Sequence, residues 1–186
     1  MGRLVYSMMV SADGYTEDET GSFGWGAVDE ELHSFVTARY RSVGTFLYGR
    51  RMYETMVYWE TAHRDPTQSP SVHEYARQWQ SCAKIVYSTS LGAPRSARTT
   101  IRRSFEPAEV RRLKAELPHD LSVDGPTLAG QALEAGLVDE VHLLVTPALA
   151  GGGRRFFPAG VRGGLELLEE RRFPHGTVFL GYRVAG

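Results

Sequence analysis

The chain has 186 residues, of which 42% are hydrophobic, and 21 basic residues nearly balance 22 acidic ones, giving a formal net charge of -1. This length predicts a single domain, residues 1–186, whose core needs no disulfide or metal. The charge argues against a nucleic-acid or anionic-membrane partner, and the single cysteine, Cys82, excludes an intrachain disulfide and a cysteine-rich zinc site. With no apolar stretch of about 18 residues and no signal-peptide pattern, we expect a cytoplasmic protein without a membrane span.

The first half of the chain predicts alternating strands and helices. Residues 4–10 are rich in β-forming side chains and predict a buried strand, and the polar residues 11–27 predict a loop. Asp29, Glu30 and Glu31 open a helical pattern that reaches Tyr40, and their charges suit the positive end of a helix. The pattern then predicts a strand over residues 45–48, a helix over 50–58, a loop over 61–71, a helix over 72–80 and a strand over 84–88.

The second half predicts further strand–helix steps and ends in two consecutive strands. In order these are a helix over residues 107–116, a strand over 121–123, a helix over 128–135, a strand over 141–146 and a hairpin of residues 165–173 and 177–184. Alternating strands and helices followed by an antiparallel pair indicate an α/β fold with a mostly parallel sheet covered on both faces. Ligands of such sheets usually bind beyond the carboxyl ends of the strands.

The first candidate ligand site is the turn Asp124-Gly125-Pro126-Thr127-Leu128. Gly125 permits a tight turn and Pro126 takes the first helical position, so the next backbone N–H groups point outward at a positive helix end, which suits a phosphate. Asp124 is negative, and we expect it to face the reacting end of a ligand instead. The alternative is an ordinary strand-to-helix turn in which Asp124 caps the helix, and a cis Gly125–Pro126 bond is a minority possibility.

A second candidate site repeats the strand–glycine–helix arrangement at Gly49-Arg50-Arg51-Met52-Tyr53. The two arginines suit bidentate binding of a phosphate, although a solvated helix start explains them as well. A third stretch, Ser88-Thr89-Ser90, follows another strand and either offers hydroxyl groups to a phosphate or forms an ordinary turn. Two phosphate sites on one sheet favour a dinucleotide.

Other patterns point away from common enzyme classes. The six histidines show no metal-ligand spacing, and no serine-hydrolase elbow, Walker loop or Gly-x-Gly-x-x-Gly fingerprint occurs, which disfavours a metal site, a serine hydrolase and a standard Rossmann dehydrogenase. The run Gly151-Gly152-Gly153-Arg154-Arg155 resembles an anion-binding loop, but it lies between strands rather than before a clear helix, so we favour a mobile connecting loop. The acids at positions 29–31 either include a proton donor or stabilise a helix start.

Several motifs in order along the chain resemble the reductase domain of the bacterial bifunctional riboflavin-biosynthesis deaminase–reductase. They are Ser11-Ala12-Asp13-Gly14 followed by Gly21-Ser22 and Trp25, the runs over residues 123–130 and 134–140, and Pro147-Ala148-Leu149 with the triple glycine. Residues 47–54, with the sequence Leu-Tyr-Gly-Arg-Arg-Met-Tyr-Glu, look closer to dihydrofolate reductases, and Ser88–Ser90 resembles the other phosphate-binding turn of those enzymes.

This resemblance implies a three-layer α/β/α dihydrofolate reductase-like fold with a central, mostly parallel mixed sheet and an antiparallel C-terminal hairpin. It also implies NADPH as hydride donor, with Arg50 or Arg51 selecting the 2′-phosphate. The implied cofactor-binding residues are Ser11, Gly49, Arg50, Arg51, Met52, Ser88, Thr89, Ser90, Gly125, Pro126, Thr127 and Leu128. Ser11 and Asp13 would shape the nicotinamide pocket. Asp124 or Glu31 would support protonation of the substrate; Glu31 keeps the spacing to Phe35 seen in dihydrofolate reductases.

We therefore expect an NADPH-dependent reductase that acts on a pyrimidine, as a 5-amino-6-(5-phosphoribosylamino)uracil reductase does, or on a pteridine, as dihydrofolate reductase does. The zinc signature of the deaminase half is absent, so a separate reductase unit is expected. The alternatives are a nonenzymatic nucleotide- or heterocycle-binding protein on the same fold and, less favoured, a flavin-dependent oxidoreductase. The terminal hairpin and the apolar run 141–145 suggest a homodimer.

Overall fold

A computed structural model describes residues 2–25 and 28–185, so the end of the expected first loop, Ala27, lies outside the described residues. The elements in chain order are β1 (Leu4–Ser11), β2 (Tyr15–Glu17), α1 (Glu30–Arg39), β3 (Val43–Gly49), α2 (Arg50–Met56), α3 (Pro70–Ser81), β4 (Ala83–Tyr87), β5 (Thr99–Arg102), α4 (Pro107–Glu116), β6 (Asp120–Asp124), α5 (Pro126–Glu134), β7 (Glu140–Thr146), β8 (Arg154–Arg155), β9 (Leu165–Arg172) and β10 (Val178–Val184). No helix within the described ranges has both the length and the apolar character needed to cross a membrane.

The chain divides into two compact units, which are described separately. The first consists of Met1–Gly2 and Asp29–Ser122, and the second of Arg3–Val28 and Val123–Gly186, so that β6 begins in one unit and ends in the other. The single-domain organisation expected from the length stays a prediction.

The first unit contains three parallel strands in the order β5-β4-β3. Its helices begin at polar caps: Asp29 accepts a hydrogen bond from the Leu32 N–H at 2.7 Å at the start of α1, and Ser69 caps α3, whose first residue is Pro70. The core of this unit is aromatic, and Trp79 of α3 donates its ring N–H to the Tyr48 hydroxyl of β3 at 3.0 Å.

The second unit carries the mixed part of the sheet in the order β1-β7-β10-β9. Strands β1 and β7 are parallel, with Ser11 opposite Thr146, whereas β10 is antiparallel to both β7 and β9. The expected α/β fold with a mostly parallel mixed sheet and an antiparallel C-terminal hairpin is confirmed.

Three short strands, β2, β5 and β8, were not expected from the sequence. The two residues of β8 pair with β2, which lies more than 130 positions earlier in the chain, and β5 pairs with β4 across a turn-rich connection. Such short segments show no period of their own, so only the distant partner makes them strands. The expected helix over residues 50–58 ends at Met56, and residues Val57–Glu60 form a 3-10 turn.

The ammonium group of Lys84 lies in the core of the first unit, where the side chain is 1% exposed. Its Nζ atom lies 4.1 Å from the centroid of the Trp79 ring and donates to the carbonyl oxygens of Ala97 at 3.2 Å and Gln80 at 3.4 Å. Burial, opposed by the charge of Glu60, lowers the pKa of Lys84 from 10.5 to about 8.

As the pH rises from 8 to 10.5, we expect the titration of Lys84 to increase the free energy of unfolding by up to about 3 kcal/mol. In this range the unfolded chain keeps the Lys84 proton while the folded chain releases it, so stability increases with pH. Urea unfolding of the wild type and of Lys84→Met across this range measures the effect, because methionine keeps the apolar stem and lacks the amine. Identical pH profiles for the two proteins would contradict the lowered pKa.

Candidate functional site

The start of α5 in the second unit is formed by a glycine that no other residue replaces easily. Gly125 has a φ of 94°, in the region that favours glycine, and it is the N-cap residue of α5, with Pro126 at the first helical position. The interpretation in which Asp124 caps this helix is therefore wrong, and the Gly125–Pro126 bond is trans. Gly125 has no side chain to cap the helix, so no N-cap side chain competes with an anion for the N–H groups of Thr127 and Leu128.

An arginine from the glycine-rich segment lies at this helix start. Arg154 of β8 donates from Nη1 to the Thr127 hydroxyl at 2.7 Å and from Nε to the Glu17 carboxylate at 2.7 Å. Arg154 and Pro158, together with residues of α5, line a cleft of about 280 Å³. Arg154 is not predicted as a site residue from the sequence, although the glycine–arginine run is visible there, because its contact with Thr127 depends on pairing between β2 and β8.

The triple-glycine segment is packed against β2 and the residues that follow it. Gly153 has a φ of 112°, and a Cβ atom there would overlap the Glu17 carbonyl oxygen and lie 2.7 Å from the Asp18 Cα. A Cβ on Gly152 would lie 2.8 Å from the Glu19 carboxylate. Arg154 and Arg155 of the expected connecting loop are therefore strand residues of β8, and the glycines before them allow close backbone packing.

The loop after β1 is joined to the loop after β7 by the carboxylate of Asp13. This carboxylate accepts hydrogen bonds from the Ser11 hydroxyl at 2.6 Å and from the N–H groups of Ala150 at 2.9 Å and Gly151 at 2.7 Å. These bonds, that of Ser11 first, lower the pKa of Asp13 from 3.8 to about 2. Asp13 is thus a carboxylate at neutral pH, which disfavours it as a proton donor and suits it to holding the two loops together.

The two acids expected to support protonation have different environments. Asp124 is 3% exposed in the second unit. Burial of the Tyr6 phenol raises the pKa of Tyr6, and the negative charge of Asp124 raises that pKa further. The Tyr6 hydroxyl donates to the Phe156 carbonyl oxygen at 3.0 Å. Glu31 is exposed in the first turn of α1, in the first unit.

The other two acids at the start of α1 stabilise helix ends. Asp29 caps α1, and Glu30 accepts hydrogen bonds from the N–H group and the hydroxyl of Ser71 at 3.1 and 2.8 Å, in the first turn of α3. A side-chain hydrogen bond from Ser69 is the largest cause that lowers the pKa of Glu30, and the bonds from Ser71 lower it further. For these two acids the helix-start interpretation holds.

In the first unit the structure brings together the second and third candidate stretches. Arg50, in the first turn of α2 after the N-cap Gly49, donates from Nη1 to the Ser90 hydroxyl at 2.9 Å and from Nε to Glu54 at 2.9 Å. Arg51 is exposed beside it, and the half-buried Met52 packs against the aromatic core. Arg50 and Ser90 therefore present an exposed positive charge and a hydroxyl group side by side.

The turn after β4 is shaped by Ser88 and by an arginine that the sequence does not predict as a site residue. Ser88 is 8% exposed, and its hydroxyl accepts from the N–H groups of Ser90 at 3.3 Å and Leu91 at 2.9 Å. Arg103 donates from Nη1 to the carbonyl oxygens of Ser88 and Leu91, both at 2.9 Å. Ser88 thus holds the turn, while Thr89 and Ser90 are exposed. No pattern in the sequence marks Arg103, because it follows a strand that only tertiary pairing defines.

Each unit therefore holds its own group of candidate residues. In the first, Gly49–Met52 meets Ser88–Ser90; in the second, Ser11 and Asp13 meet the loop after β7, and Gly125–Leu128 meets Arg154. Among the described residues, no three His, Cys, Asp or Glu side chains are grouped so that they could hold a metal ion.

Comparison with solved structures places this fold among known proteins. A putative riboflavin biosynthesis protein from Shewanella sp. PV-4 is 18% identical with a TM-score of 0.74, each chain covering 99% of the other. A pyrimidine reductase-like protein from Corynebacterium diphtheriae is 16% identical with a TM-score of 0.69, covering 100% of this chain and 92% of that one. A deaminase/5-amino-6-(5-phosphoribosylamino)uracil reductase from Thermotoga maritima is 15% identical with a TM-score of 0.67, covering 99% of this chain and 57% of that one.

Sequence comparison gives two further findings. The uncharacterised protein YyaP of Bacillus subtilis strain 168 is 25% identical over 186 residues, which cover 99% of this chain and 96% of that protein. The family model described as the RibD C-terminal domain matches residues 3–179, which is nearly the whole chain. The chain therefore belongs to the RibD C-terminal domain family.

Proposed function

We propose that the protein is an NADPH-dependent reductase that transfers a hydride to a pyrimidine or pteridine heterocycle. The observation that carries this proposal is the start of α5, where the glycine cap Gly125 and the guanidinium of Arg154 combine in a member of the RibD C-terminal domain family. Two proteins of similar fold support a nitrogen heterocycle as substrate, because one is named a pyrimidine reductase-like protein and the other a uracil reductase.

Each unit, taken by itself, offers donor groups that suit a phosphate of the proposed cofactor. In the second unit, the N–H groups of Thr127 and Leu128 and the guanidinium of Arg154 would hold pyrophosphate oxygens. In the first unit, the exposed Arg50 and Ser90, at the helix start Gly49–Met52, would hold the 2′-phosphate that distinguishes NADPH from NADH.

The remaining candidate residues would act on the reacting end. NADPH, when bound, supplies the hydride. The second unit contributes Ser11, whose hydroxyl is held by Asp13, to shape the pocket for the nicotinamide ring. Asp124 or Glu31 would supply or relay the proton that the reduced nitrogen or oxygen of the substrate requires.

Saturating NADPH is expected to raise the melting temperature by several degrees, because a ligand that binds only the folded state stabilises it by roughly 2.7 kcal/mol at a hundred times its Kd. Differential scanning fluorimetry with NADPH, NADH and no ligand measures the shift. Absence of a shift with either nucleotide would refute the cofactor proposal.

Turnover separates the reductase from the alternative of a nonenzymatic binding protein on the same fold. A reductase consumes the NADPH absorbance band when dihydrofolate, another pteridine or 5-amino-6-(5-phosphoribosylamino)uracil is added. Stabilisation by NADPH without loss of absorbance for any of these compounds would favour the binding protein. A yellow purified protein would favour a flavin-dependent enzyme.

We also propose a homodimer that buries the terminal hairpin. The apolar run 141–145 does not contribute as expected, because β7 lies between β1 and β10 and its residues Val141 and Leu144 are already buried. Strand β9 lies at the edge of the sheet and exposes Leu167 by 50% and Leu168 by 42%, which is costly in water and typical of a pairing edge. Light scattering is expected to give twice the chain mass for the wild type and the chain mass for Leu167→Arg. Tyr58→Arg, at a residue that is 51% exposed in the first unit, is the control and should stay dimeric. A dimeric Leu167→Arg protein would exclude this interface.

A further inference from the structure

Leu149 is 80% exposed, the highest exposure of any large hydrophobic residue described, yet the backbone on both sides of it is fixed. On one side the Ala148 carbonyl oxygen accepts from the Ala12 N–H at 2.8 Å, and the Ala148 N–H donates to the Thr146 carbonyl oxygen at 2.9 Å. On the other side, Asp13 accepts from the N–H groups of Ala150 and Gly151. The backbone on both sides of Leu149 is therefore held by hydrogen bonds, while the leucine side chain is exposed.

The loop that carries Leu149 begins at the carboxyl end of β7, where ligands of such sheets bind. Strands β1 and β7 are parallel neighbours, and Ser11 lies opposite Thr146 at their carboxyl ends. The loop with Asp13 leaves one of these ends, and the loop with Leu149 leaves the other. Ligands of open α/β sheets bind beyond the carboxyl ends of the strands, so Leu149 is presented at the edge where a ligand is expected.

We propose that Leu149 is the apolar contact for a flat heteroaromatic ring of the ligand, and that Asp13 is the positioning residue that holds Leu149 in place. This inference rests on the proposed function, because the ring is either the pyrimidine or pteridine of the substrate or the nicotinamide of the cofactor. Both rings have apolar faces, and covering the leucine side chain with such a face removes apolar surface from water, which stabilises the complex.

The bonds of Asp13 explain why a carboxylate suits this task. One carboxylate group accepts three hydrogen bonds, from Ser11, Ala150 and Gly151, which a neutral amide cannot do with the same geometry. Its low pKa keeps it ionised under any ordinary assay condition. A positioning Asp13 therefore predicts no titration of its own in the activity profile, whereas a proton-donating Asp13 predicts one.

The first experiment replaces Leu149 with alanine and compares four constants. They are the KM for dihydrofolate, the KM for 5-amino-6-(5-phosphoribosylamino)uracil, and the Kd values for NADPH and for 2′,5′-ADP, which lacks the nicotinamide. If the substrate ring covers Leu149, the KM of the accepted substrate rises about tenfold and both Kd values stay constant. If the nicotinamide covers it, the Kd for NADPH rises about tenfold and that for 2′,5′-ADP does not.

The control is Tyr58→Ala, which truncates a large side chain that is 51% exposed in the first unit and lies outside the hairpin proposed to form the dimer interface. It should leave all four constants at their wild-type values. Constants that are unchanged in Leu149→Ala, or that change equally in Tyr58→Ala, would overturn the proposal. Such a result differs from failure of the proposed function, in which the wild type itself shows no NADPH stabilisation and no turnover.

The second experiment tests the link between the two residues with Asp13→Asn alone and combined with Leu149→Ala. If Asp13 acts through Leu149, the asparagine variant shifts the same constant as Leu149→Ala, and the double variant shows little further change. The pH profile of kcat should keep its shape in Asp13→Asn. Additive losses, or loss of one limb of the pH profile, would overturn the positioning role.

Discussion

Replacing Gly153 with alanine is expected to lower the free energy of unfolding by about 3 kcal/mol. The residue has a φ of 112°, which an alanine adopts only with strain, and its Cβ would overlap the backbone of Glu17 and Asp18. The neighbouring atoms are backbone rather than flexible side chains, so β2 and β8 would have to separate. Urea unfolding measures the loss.

Two control variants at other glycines distinguish the cost of backbone strain from the cost of the close contact. Gly151→Ala introduces a similar strain, at a φ of 74°, with nothing within 4 Å of the new Cβ, and should cost about 1 kcal/mol. Gly163→Ala has neither a positive φ nor a close contact and should change stability by roughly 0.5 kcal/mol or less. If Gly153→Ala proves no more destabilising than Gly151→Ala, the close packing against β2 is refuted. The Gly153 variant should also weaken NADPH binding, because Arg154 is the next residue.

Replacing Arg50 with alanine is expected to raise the Kd for NADPH by roughly 10- to 100-fold and to leave the Kd for NADH nearly unchanged. A guanidinium that binds a phosphate contributes about 1.5–3 kcal/mol, and NADH lacks the 2′-phosphate. Arg50 is exposed and already meets the Ser90 hydroxyl, so a phosphate can reach both groups. Fluorescence titration with the two nucleotides measures the selectivity.

The stability of the Arg50 variant should match that of the wild type, because its exposed ion pair with Glu54 at 2.9 Å contributes little. Arg41→Ala is the matched control: Arg41 belongs to the same unit, is exposed and pairs with Glu74 at 3.0 Å. It should affect neither nucleotide. Equal losses of NADPH and NADH binding in Arg50→Ala would argue against a 2′-phosphate contact.

Local chemistry in the sequence determined the regular elements. Helix α4 runs from Pro107 to Glu116 as expected, because proline favours the first helical turn and the following residues are good helix formers. The start of α5 at Pro126 after Gly125 follows from the same reasoning, and the β-forming residues of β1 and the final hairpin were sufficient to predict those strands. These signals depend on residues that are near one another in the chain.

The tertiary structure alone decided how the candidate residues are used. Asp13 joins Ala150 and Gly151 across 137 and 138 positions, and Arg154 reaches Glu17 across 137. Contacts over such distances leave no periodicity in the sequence, so the strand pairing of a glycine-rich segment is not predicted until its packing partner is known. Composition and motif therefore determined the fold class and family of this protein, whereas strand pairing decided that Asp13 ties two loops together and that Arg154 lies at the start of α5.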